Sequence, residues 1–268
     1  MKIGNKIFEP SEKTYVMGIL NVTPDSFSDG GSYTSIDKAM EQTEKMIQQG
    51  ADIIDVGGES TRPGHVQIGD EEEIKRVVPA IREIKKKFDI PVSIDTYKSA
   101  VAKAALEAGA DLLNDIWGFR YDEKMAELAA EYDVPVCLMH NRDNLDYDDF
   151  MEDVKKDLQI SLDIAEKYGV KKENIMLDPG VGFGKTYEQN LMVMNHLEEI
   201  VDMGYPVLLG TSRKSVIGLT LDLPVDEREE GTLATSVLGA IKGCQFVRVH
   251  DVEKNVRALK MTDAILHS

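Results

Sequence analysis

Polar or ionisable side chains lie at the end of each of eight short apolar segments in this chain or just after it, and their types could do chemistry together. They are Asn21, Asp55, Asp95, Asn114 with Asp115, His140, Asp178, Ser212 to Lys214, and Arg248 with His250. Any one of them could simply cap the next helix or begin a turn. Eight in succession are harder to explain in that way, because folding alone does not require a polar group after every segment. The set therefore predicts a functional site.

The residue types in this set favour recognition of a flat heterocycle. Carboxylates and amides suit ring N–H and amino donors, and the guanidinium of Arg248 could stack on a ring face. No serine or cysteine is placed beside a histidine and an acid, as a nucleophilic hydrolase requires. His140 and His250 do not form the H-x-x-x-H pair of a helical zinc site, which argues against a zinc hydrolase.

Other residues favour binding of a diphosphate. The segments "TSRKS" (211–215) and "RVHD" (248–251) follow the last two apolar runs, where (β/α)₈ barrels often hold phosphate. Arg62 lies in "STRPGH", on the long segment that follows the second run. Asn21 supplies a hard oxygen ligand that could help to hold Mg²⁺ on a diphosphate. Together these features predict a pocket for a planar heterocycle that carries a diphosphate.

The elements that must position these residues alternate regularly along the chain. The apolar runs span 15–20, 51–56, 91–95, 111–115, 135–139, 174–178, 206–210 and 245–249. Near-continuous apolar runs are typical of parallel strands covered on both sides, and helical patterns lie between them. We therefore predict one α/β domain over 1–268, a (β/α)₈ TIM barrel, with a short extra strand or plug over 2–8. A doubly wound open sheet is the alternative, but the first strand is not followed by its glycine fingerprint.

Helix boundaries are also predicted. Ser35 is expected to cap a helix that stops at Gly50. Asp70 and Glu73 resemble a capping box at the start of the next helix. Pro79 lies inside that helical pattern and is expected to kink the helix or to move its start.

Composition narrows the classes of function. The 268 residues carry a formal net charge of −17 with a pI near 4.7, which argues against binding to nucleic acid. The chain starts without an apolar signal region and contains no run of eighteen apolar residues, so no association with a membrane is expected. Cys137 and Cys244 lie in apolar, strand-like stretches and are expected to be reduced core residues. The expected setting is the cytoplasm.

Seven motifs resemble those of the dihydropteroate synthase family. In chain order they are "GILNVTPDSFSDGG", "DVGGESTRPG", "SIDT", "NDIWG", "LDPGVGFGK", "LLGTSRKS" and "RVHD". They run from about Met17 to Asp251 and so cover nearly the whole chain. The resemblance implies a (β/α)₈ barrel that uses Mg²⁺, serves folate synthesis and is a target of sulfonamides. The implied reaction condenses 6-hydroxymethyl-7,8-dihydropterin diphosphate with p-aminobenzoate to 7,8-dihydropteroate, and a homodimer is the implied assembly.

The resemblance also assigns residues to subsites. The pterin is expected at Asp95, Asn114, Ile116, Met139, Asp178, Lys214 and Arg248. The p-aminobenzoate is expected at Thr61, Pro63, Phe183 and Ser212. The diphosphate is expected at Asn21, Arg62, Arg248 and His250, with Mg²⁺ at Asn21. The residues implied in catalysis are Asp95, Arg62, Lys214, Asp25 and Phe27.

The segment 21–33 is about twice as long as the two to six residues that usually join a strand to a helix. Asp25 could engage the diphosphate or its metal. Phe27 could shield a reactive cation from water, or simply anchor the loop on a neighbour. With residues 57–69, the segment is predicted to form a movable cover over the site.

The implied chemistry is a substitution with dissociative character. Mg²⁺ and Arg62 would stabilise charge on the leaving diphosphate and Asp95 charge on the ring, and the arylamine would then attack the methylene carbon. Two alternatives are a protein like the methyltetrahydrofolate–corrinoid methyltransferases and a catalytically silent pterin-binding paralogue. The first has no use for a diphosphate loop. The second would be expected to lack the first-loop motif or Arg62, and both are present.

Overall fold

The computed structural model describes residues 1–9, 12–23, 32–59 and 67–268. The strands are β1 (Lys2–Ile3), β2 (Lys6–Ile7), β3 (Tyr15–Asn21), β4 (Ile53–Gly57), β5 (Val92–Asp95), β6 (Leu112–Asp115), β7 (Val136–Met139), β8 (Ile175–Asp178), β9 (Leu208–Leu209) and β10 (Phe246–Val249). The helices are α1 (Ser32–Gln48), α2 (Asp70–Lys87), α3 (Ser99–Glu107), α4 (Lys124–Glu131), α5 (Phe150–Tyr168), α6 (Tyr187–Asn195), α7 (Leu197–Val201), α8 (Ser215–Leu221), α9 (Glu229–Ile241) and α10 (Val252–Leu266).

Within the described ranges, the strands β3 to β10 form one parallel sheet of eight strands in the order β8-β7-β6-β5-β4-β3-β10-β9. A parallel bridge between Leu177 and Val207 joins the two ends of this sheet, and the N–H of Leu177 donates to the carbonyl of Pro206 at 2.8 Å. The sheet is therefore closed. Each strand coincides with one of the apolar runs, so the (β/α)₈ barrel is confirmed and the open-sheet alternative is wrong.

The alternation of side chains along the strands separates a core layer from a polar layer. One buried cluster contains the inward-facing residues of seven strands, namely Met17, Ile53, Leu112, Cys137, Met176, Leu208 and Phe246. Successive side chains on a strand point to opposite faces, so the residue two places further on faces the same way. Those residues include Asp55, Asn114, Asp178 and Arg248. The polar side chains predicted to form the site therefore sit directly above the barrel core.

The N-terminal segment closes the opposite end of the barrel. The strands β1 and β2 pair antiparallel, which confirms the extra element expected over 2–8. Ile3 and Phe8 belong to the same buried cluster as Tyr15 and Phe246. The rings of Phe8 and Tyr15 meet edge to face with centroids 4.9 Å apart. Both cysteines are free and buried, and burial raises the pKa of Cys244 to about 12.

Two predicted caps are wrong. The helix α1 begins at Ser32, so Ser35 lies inside it; Gly50 follows its end with a φ of 98°, as predicted. The helix α2 has Gly69 at its N-cap and no side-chain capping bond, because Glu73 is buried in an ion pair with Lys98 at 2.8 Å. Pro79 does not divide α2. No helix in the described part of the chain is both long and apolar enough to cross a membrane.

Candidate active site

A buried cluster of charged and polar side chains joins four strands at the C-terminal end of the barrel. Arg248 of β10 donates through Nε to Oδ2 of Asp55 and through Nη2 to Oδ2 of Asp95, both at 2.6 Å. Asn114 of β6 donates to the same oxygen of Asp55 at 3.3 Å. Burial raises the pKa of Asp95, Arg248 opposes that rise, and Asp55 adds to it. Two predicted site residues, Arg248 and Asn114, therefore bond Asp55 directly, and Asp95 joins the cluster through Arg248.

Each of the two carboxylates in this cluster has one oxygen without a hydrogen-bond donor among the described residues. Oδ1 of Asp55 and Oδ1 of Asp95 are buried and accept no hydrogen bond from the described residues. Buried polar atoms in native proteins are nearly always paired, so a lone acceptor indicates a missing donor. A ligand with ring N–H or amino groups would supply such donors.

Glycine 57 leaves space beside the cluster. A Cβ atom on Gly57 would lie 3.6 Å from Oδ1 of Asn21 and 3.7 Å from Oδ2 of Asp95. The amide oxygen of Asn21 and the carboxylate of Asp95 therefore face one small space that contains no side chain of residue 57. This space lies where the sequence predicts the metal and the diphosphate.

A third carboxylate and a lysine lie close to Arg248. A Cβ atom on Gly210 would lie 3.7 Å from Oδ2 of Asp178 and 3.9 Å from both Nζ of Lys214 and Cβ of Arg248. Burial raises the pKa of Asp178, and Lys214 opposes this rise. Burial also lowers the pKa of Lys214 to about 8, with Asp178 acting in the opposite direction. The predicted pterin residues Asp178, Lys214 and Arg248 thus share one space.

An apolar wall completes this part of the site. Ile116 and Met139, both predicted to contact a pterin, form a buried cluster with Tyr97, and Trp117 and Phe183 pack against it. The Nζ atom of Lys214 lies 4.7 Å from the centre of the Phe183 ring. Phe183, assigned to p-aminobenzoate, therefore lies between the apolar wall and a cation.

Ser212 and His250 form a separate pair. The Ser212 hydroxyl lies 2.9 Å from Nδ1 of His250 and accepts a hydrogen bond from the His250 backbone N–H at 3.2 Å. The family resemblance implies Ser212 at the p-aminobenzoate subsite and His250 at the diphosphate subsite. The structure places these two residues in direct contact.

Several predicted site residues lie outside the described residues. They are Asp25, Phe27, Thr61, Arg62 and Pro63. The predicted cover over the site depends on these residues and so stays a prediction.

A buried ion cluster at the base of the second long segment was not predicted. Lys98 donates to Glu59 at 2.6 Å, to Glu73 at 2.8 Å and to the carbonyl of Ile68 at 2.8 Å. The hydroxyl of Tyr97 donates to Glu59 at 2.7 Å. The cluster holds residues 59 and 68 near each other, and so sets the two ends of the segment that contains the motif "STRPGH". No periodic pattern in the sequence predicts this cluster, because its members lie on separate parts of the chain.

A further cation supports the segment 211–215. The guanidinium of Arg228 packs directly on Gly218, where a Cβ atom would lie 2.2 Å from its Cζ. Arg228 donates to the carbonyl of Arg213 at 3.1 Å, and the N–H of Arg213 donates to Thr232 at 3.1 Å. Arg213 has a φ of 58°, a conformation that is uncommon for a residue with a side chain. These contacts hold the backbone that presents Ser212 and Lys214.

Comparisons with known proteins show the family of this chain. A family described as pterin binding enzyme matches residues 17–250. The dihydropteroate synthase of Clostridium beijerinckii is 64% identical over 267 residues, 99% of each chain. The chain belongs to the dihydropteroate synthase family. Members of this family are transferases. A relative that is 64% identical over 99% of the chain is a dihydropteroate synthase, so the corrinoid methyltransferase alternative is wrong.

Solved structures of the family share the whole architecture. The dihydropteroate synthase of Clostridium difficile, crystallised in the presence of pteroic acid, superimposes with a TM-score of 0.96 at 54% identity and covers 98% of this chain and 100% of its own. The enzyme of Xanthomonas albilineans with 4-aminobenzoic acid gives a TM-score of 0.92 at 40% identity, with coverages of 96% and 95%.

Proposed function

We propose that this protein condenses 6-hydroxymethyl-7,8-dihydropterin diphosphate with p-aminobenzoate to form 7,8-dihydropteroate and diphosphate in folate biosynthesis. The observation that carries the proposal is the pair of unpartnered buried oxygens on Asp55 and Asp95, beside Arg248 and Asp178. A dihydropterin carries ring N–H and amino donors on one flat edge, which match such acceptors. Family membership supports the same reaction.

The pterin would lie between the polar cluster and the apolar wall. Asp178 would accept hydrogen bonds from the pterin amino group and ring N–H. Ile116 and Met139 would contact the ring from the apolar side. Asp55 and Asp95 hold the Arg248 guanidinium by its edge, so that its face is the part suited to stacking on the pterin.

The donor set near Asn21 fits Mg²⁺ bound to a diphosphate. Magnesium prefers hard oxygen ligands and usually takes one or two from the protein, with the rest from substrate phosphates and water. The amide oxygen of Asn21 faces the space beside Gly57, and Asn21 would be the residue that holds the ion. When bound, Mg²⁺ would neutralise charge on the diphosphate. His250, Arg62 and Arg248 would contact the diphosphate oxygens.

The buried carboxylate of Asp95 would stabilise positive charge that develops on the pterin as the diphosphate leaves. Such a charge interaction is stronger in a site that excludes water. The arylamine would then attack the exposed methylene carbon. If the step is dissociative in this way, rapid-quench experiments should detect some diphosphate release without p-aminobenzoate. Release that depends strictly on p-aminobenzoate at every time would contradict it.

The activity is tested by incorporation of radiolabelled p-aminobenzoate. The purified protein is expected to form labelled dihydropteroate when pterin diphosphate and Mg²⁺ are supplied. A chelator should stop product formation, and excess Mg²⁺ should restore it. A folded protein that forms no product under these conditions would be a silent paralogue.

Activity and stability should respond in opposite directions to alkaline pH. Because burial lowers the pKa of Lys214 to about 8, we expect kcat/KM to fall above that pH as the cation is lost. Between that pH and the ordinary lysine pKa of about 10.4 the unfolded chain binds more protons than the native one, so the Lys214 contribution makes the protein more stable as the pH rises. Wild type and Lys214→Met are compared in two measurements. The pH-rate profiles check the effect on kcat/KM, and denaturant titrations check the effect on stability. An alkaline limb that persists in the variant would contradict the assignment.

We also propose a cytoplasmic homodimer. Exposed apolar side chains occur on three helices that contact one another in sequence, with Leu219 and Leu221 on α8, Ile241 on α9, and Met261 and Ile265 on α10. Exposed apolar patches of this kind often mark protein interfaces. Light scattering is expected to give about twice the chain mass of 29.8 kDa. The mass of a single chain would contradict the dimer.

A further inference from the structure

A lysine outside the predicted site holds the loop between β8 and α6. Nζ of Lys185 lies 2.6 Å from Nδ1 of His140, 3.0 Å from the carbonyl oxygen of Gly180 and 3.1 Å from that of Phe183. Burial lowers the pKa of Lys185 to about 7. In its protonated form the ammonium group has three protons, and these three acceptors use all of them. Lys185 therefore ties two points of its own loop to the end of β7.

The acceptor on His140 is set by a buried carboxylate. Nε2 of His140 lies 3.0 Å from Oδ2 of Asp157, and Arg142 donates to the same oxygen at 2.6 Å. Although burial acts against it, the hydrogen bonds from His140 and Arg142 hold the pKa of Asp157 below its ordinary value. An ionised carboxylate only accepts, so Nε2 carries the proton and Nδ1 keeps the lone pair that Lys185 needs.

The loop that Lys185 holds makes three contacts with the proposed site. The N–H of Gly180 donates to Oδ1 of Asp178 at 2.7 Å, and the carbonyl of Val181 accepts from Lys214. The Phe183 ring lies 4.7 Å from the Lys214 ammonium. The two carbonyls bound by Lys185, those of Gly180 and Phe183, belong to the same short stretch of backbone as these contacts. The positions of Phe183 and of the Lys214 ammonium group therefore depend on a backbone that Lys185 constrains.

We infer that Lys185 is a positioning residue for the p-aminobenzoate side of the site, acting through the carbonyls of Gly180 and Phe183. The inference rests on the proposed function, in which Phe183 frames p-aminobenzoate. The pterin acceptors stand outside this loop. Asp95 and Asn114 lie on β5 and β6 and have no hydrogen bond to it, and the Asp178 side chain, at the end of β8, accepts one, from the Gly180 N–H. Loss of Lys185 should therefore weaken use of p-aminobenzoate more than use of the pterin diphosphate.

The test is a steady-state comparison of Lys185→Met with wild type, made once the wild-type protein has been shown to form product. We expect the KM for p-aminobenzoate to rise about tenfold and the KM for pterin diphosphate to rise by less. Phe183 lies on the loop itself, whereas Asp178 and Lys214 stand outside the loop and only form hydrogen bonds with it. The matched control is Lys242→Met. Lys242 also donates to a backbone carbonyl, that of Asn195 at 2.6 Å, but it follows α9 at the opposite end of the barrel, and both KM values should stay unchanged.

A second pair of variants tests the acceptor on His140. His140→Asn places an amide oxygen near the position of Nδ1 and keeps an acceptor for Lys185, whereas His140→Leu removes it. The KM for p-aminobenzoate should be closer to the wild-type value in His140→Asn than in His140→Leu. This comparison remains informative even if Lys185→Met fails to fold.

Three results would overturn the inference. One is an unchanged KM for p-aminobenzoate in folded Lys185→Met. Another is an equal rise in both KM values, which would indicate a general structural role. The third is equal behaviour of His140→Asn and His140→Leu. Absence of product from wild type would instead contradict the proposed function, so the two failures are distinguishable.

Discussion

Replacing Arg248 with methionine is expected to produce the largest loss of stability of any single change in the site. The substitution removes the cation that pairs at 2.6 Å with both Asp55 and Asp95. Removing one partner of a buried ion pair typically lowers the free energy of unfolding by about 3–5 kcal/mol, because the other charge stays buried without compensation. Methionine keeps much of the apolar stem, so the effect reports mainly the lost charge.

The loss in Arg248→Met should depend on pH. Burial already raises the pKa of Asp95 and Arg248 opposes that rise, so the variant should raise it further. A carboxylate with a raised native pKa makes the protein less stable as the pH rises through that range, because the native state then holds the extra proton. We therefore expect the difference from wild type to be larger at pH 8 than at pH 5.

Denaturant titrations at the two pH values measure this difference. The control is Arg257→Met, which removes an arginine whose side chain is 74% exposed and which pairs with Glu253 on the same helix. Exposed pairs of this kind contribute about 0.3–0.5 kcal/mol. A loss in Arg248→Met no larger than in the control, or independent of pH, would mean that Arg248 does not compensate the two carboxylates.

Replacing Asp178 with asparagine is expected to produce the largest loss of activity with the fold retained. In the proposed complex Asp178 accepts two hydrogen bonds from the pterin. Hydrogen bonds to a charged group contribute about 1.5–3 kcal/mol each, so their loss predicts a fall in kcat/KM of about 10²–10⁴-fold. The asparagine oxygen can still accept from the N–H of Gly180, now bonded to Oδ1 of Asp178 at 2.7 Å, and so the loop should stay in place.

Calorimetry with a pterin ligand separates this effect from a general loss of activity. We expect pterin affinity to fall in Asp178→Asn together with kcat/KM. The control is Asp133→Asn, at an exposed aspartate that pairs with Lys171, and its pterin affinity and kcat/KM should match wild type. If Asp178→Asn kept kcat/KM within tenfold of wild type, Asp178 would not be the pterin acceptor.

The local pattern of apolar residues was sufficient to predict the barrel. Parallel strands covered by helices are buried on both faces, so runs such as 135–139 are apolar throughout and stand out from their polar surroundings. The same reasoning failed at Glu73, where the spacing from Asp70 suggested a cap. The side chain instead lies 2.8 Å from Lys98, and no local rule anticipates a partner 25 residues away.

The sequence pattern also predicted where the site lies, but not which of its residues contact one another. Asp55, Asp95, Asp178 and Arg248 all lie at the carboxyl ends of apolar runs, and the carboxyl ends of parallel strands meet at one rim, so their convergence was predictable. That Arg248 bonds Asp55 and Asp95 across 193 and 153 residues of chain was not. Such a contact depends on strand order and on closure of the sheet.

The sequence by itself therefore determined the eight strands, the polar rim and, through its motifs, the family. Only the tertiary structure decided that Ser212 pairs with His250 and that Lys185 holds the carbonyls of its loop. The physical reason is that apolar periodicity is a property of consecutive residues, whereas charge pairing depends on side chains from distant elements that become neighbours when the barrel closes.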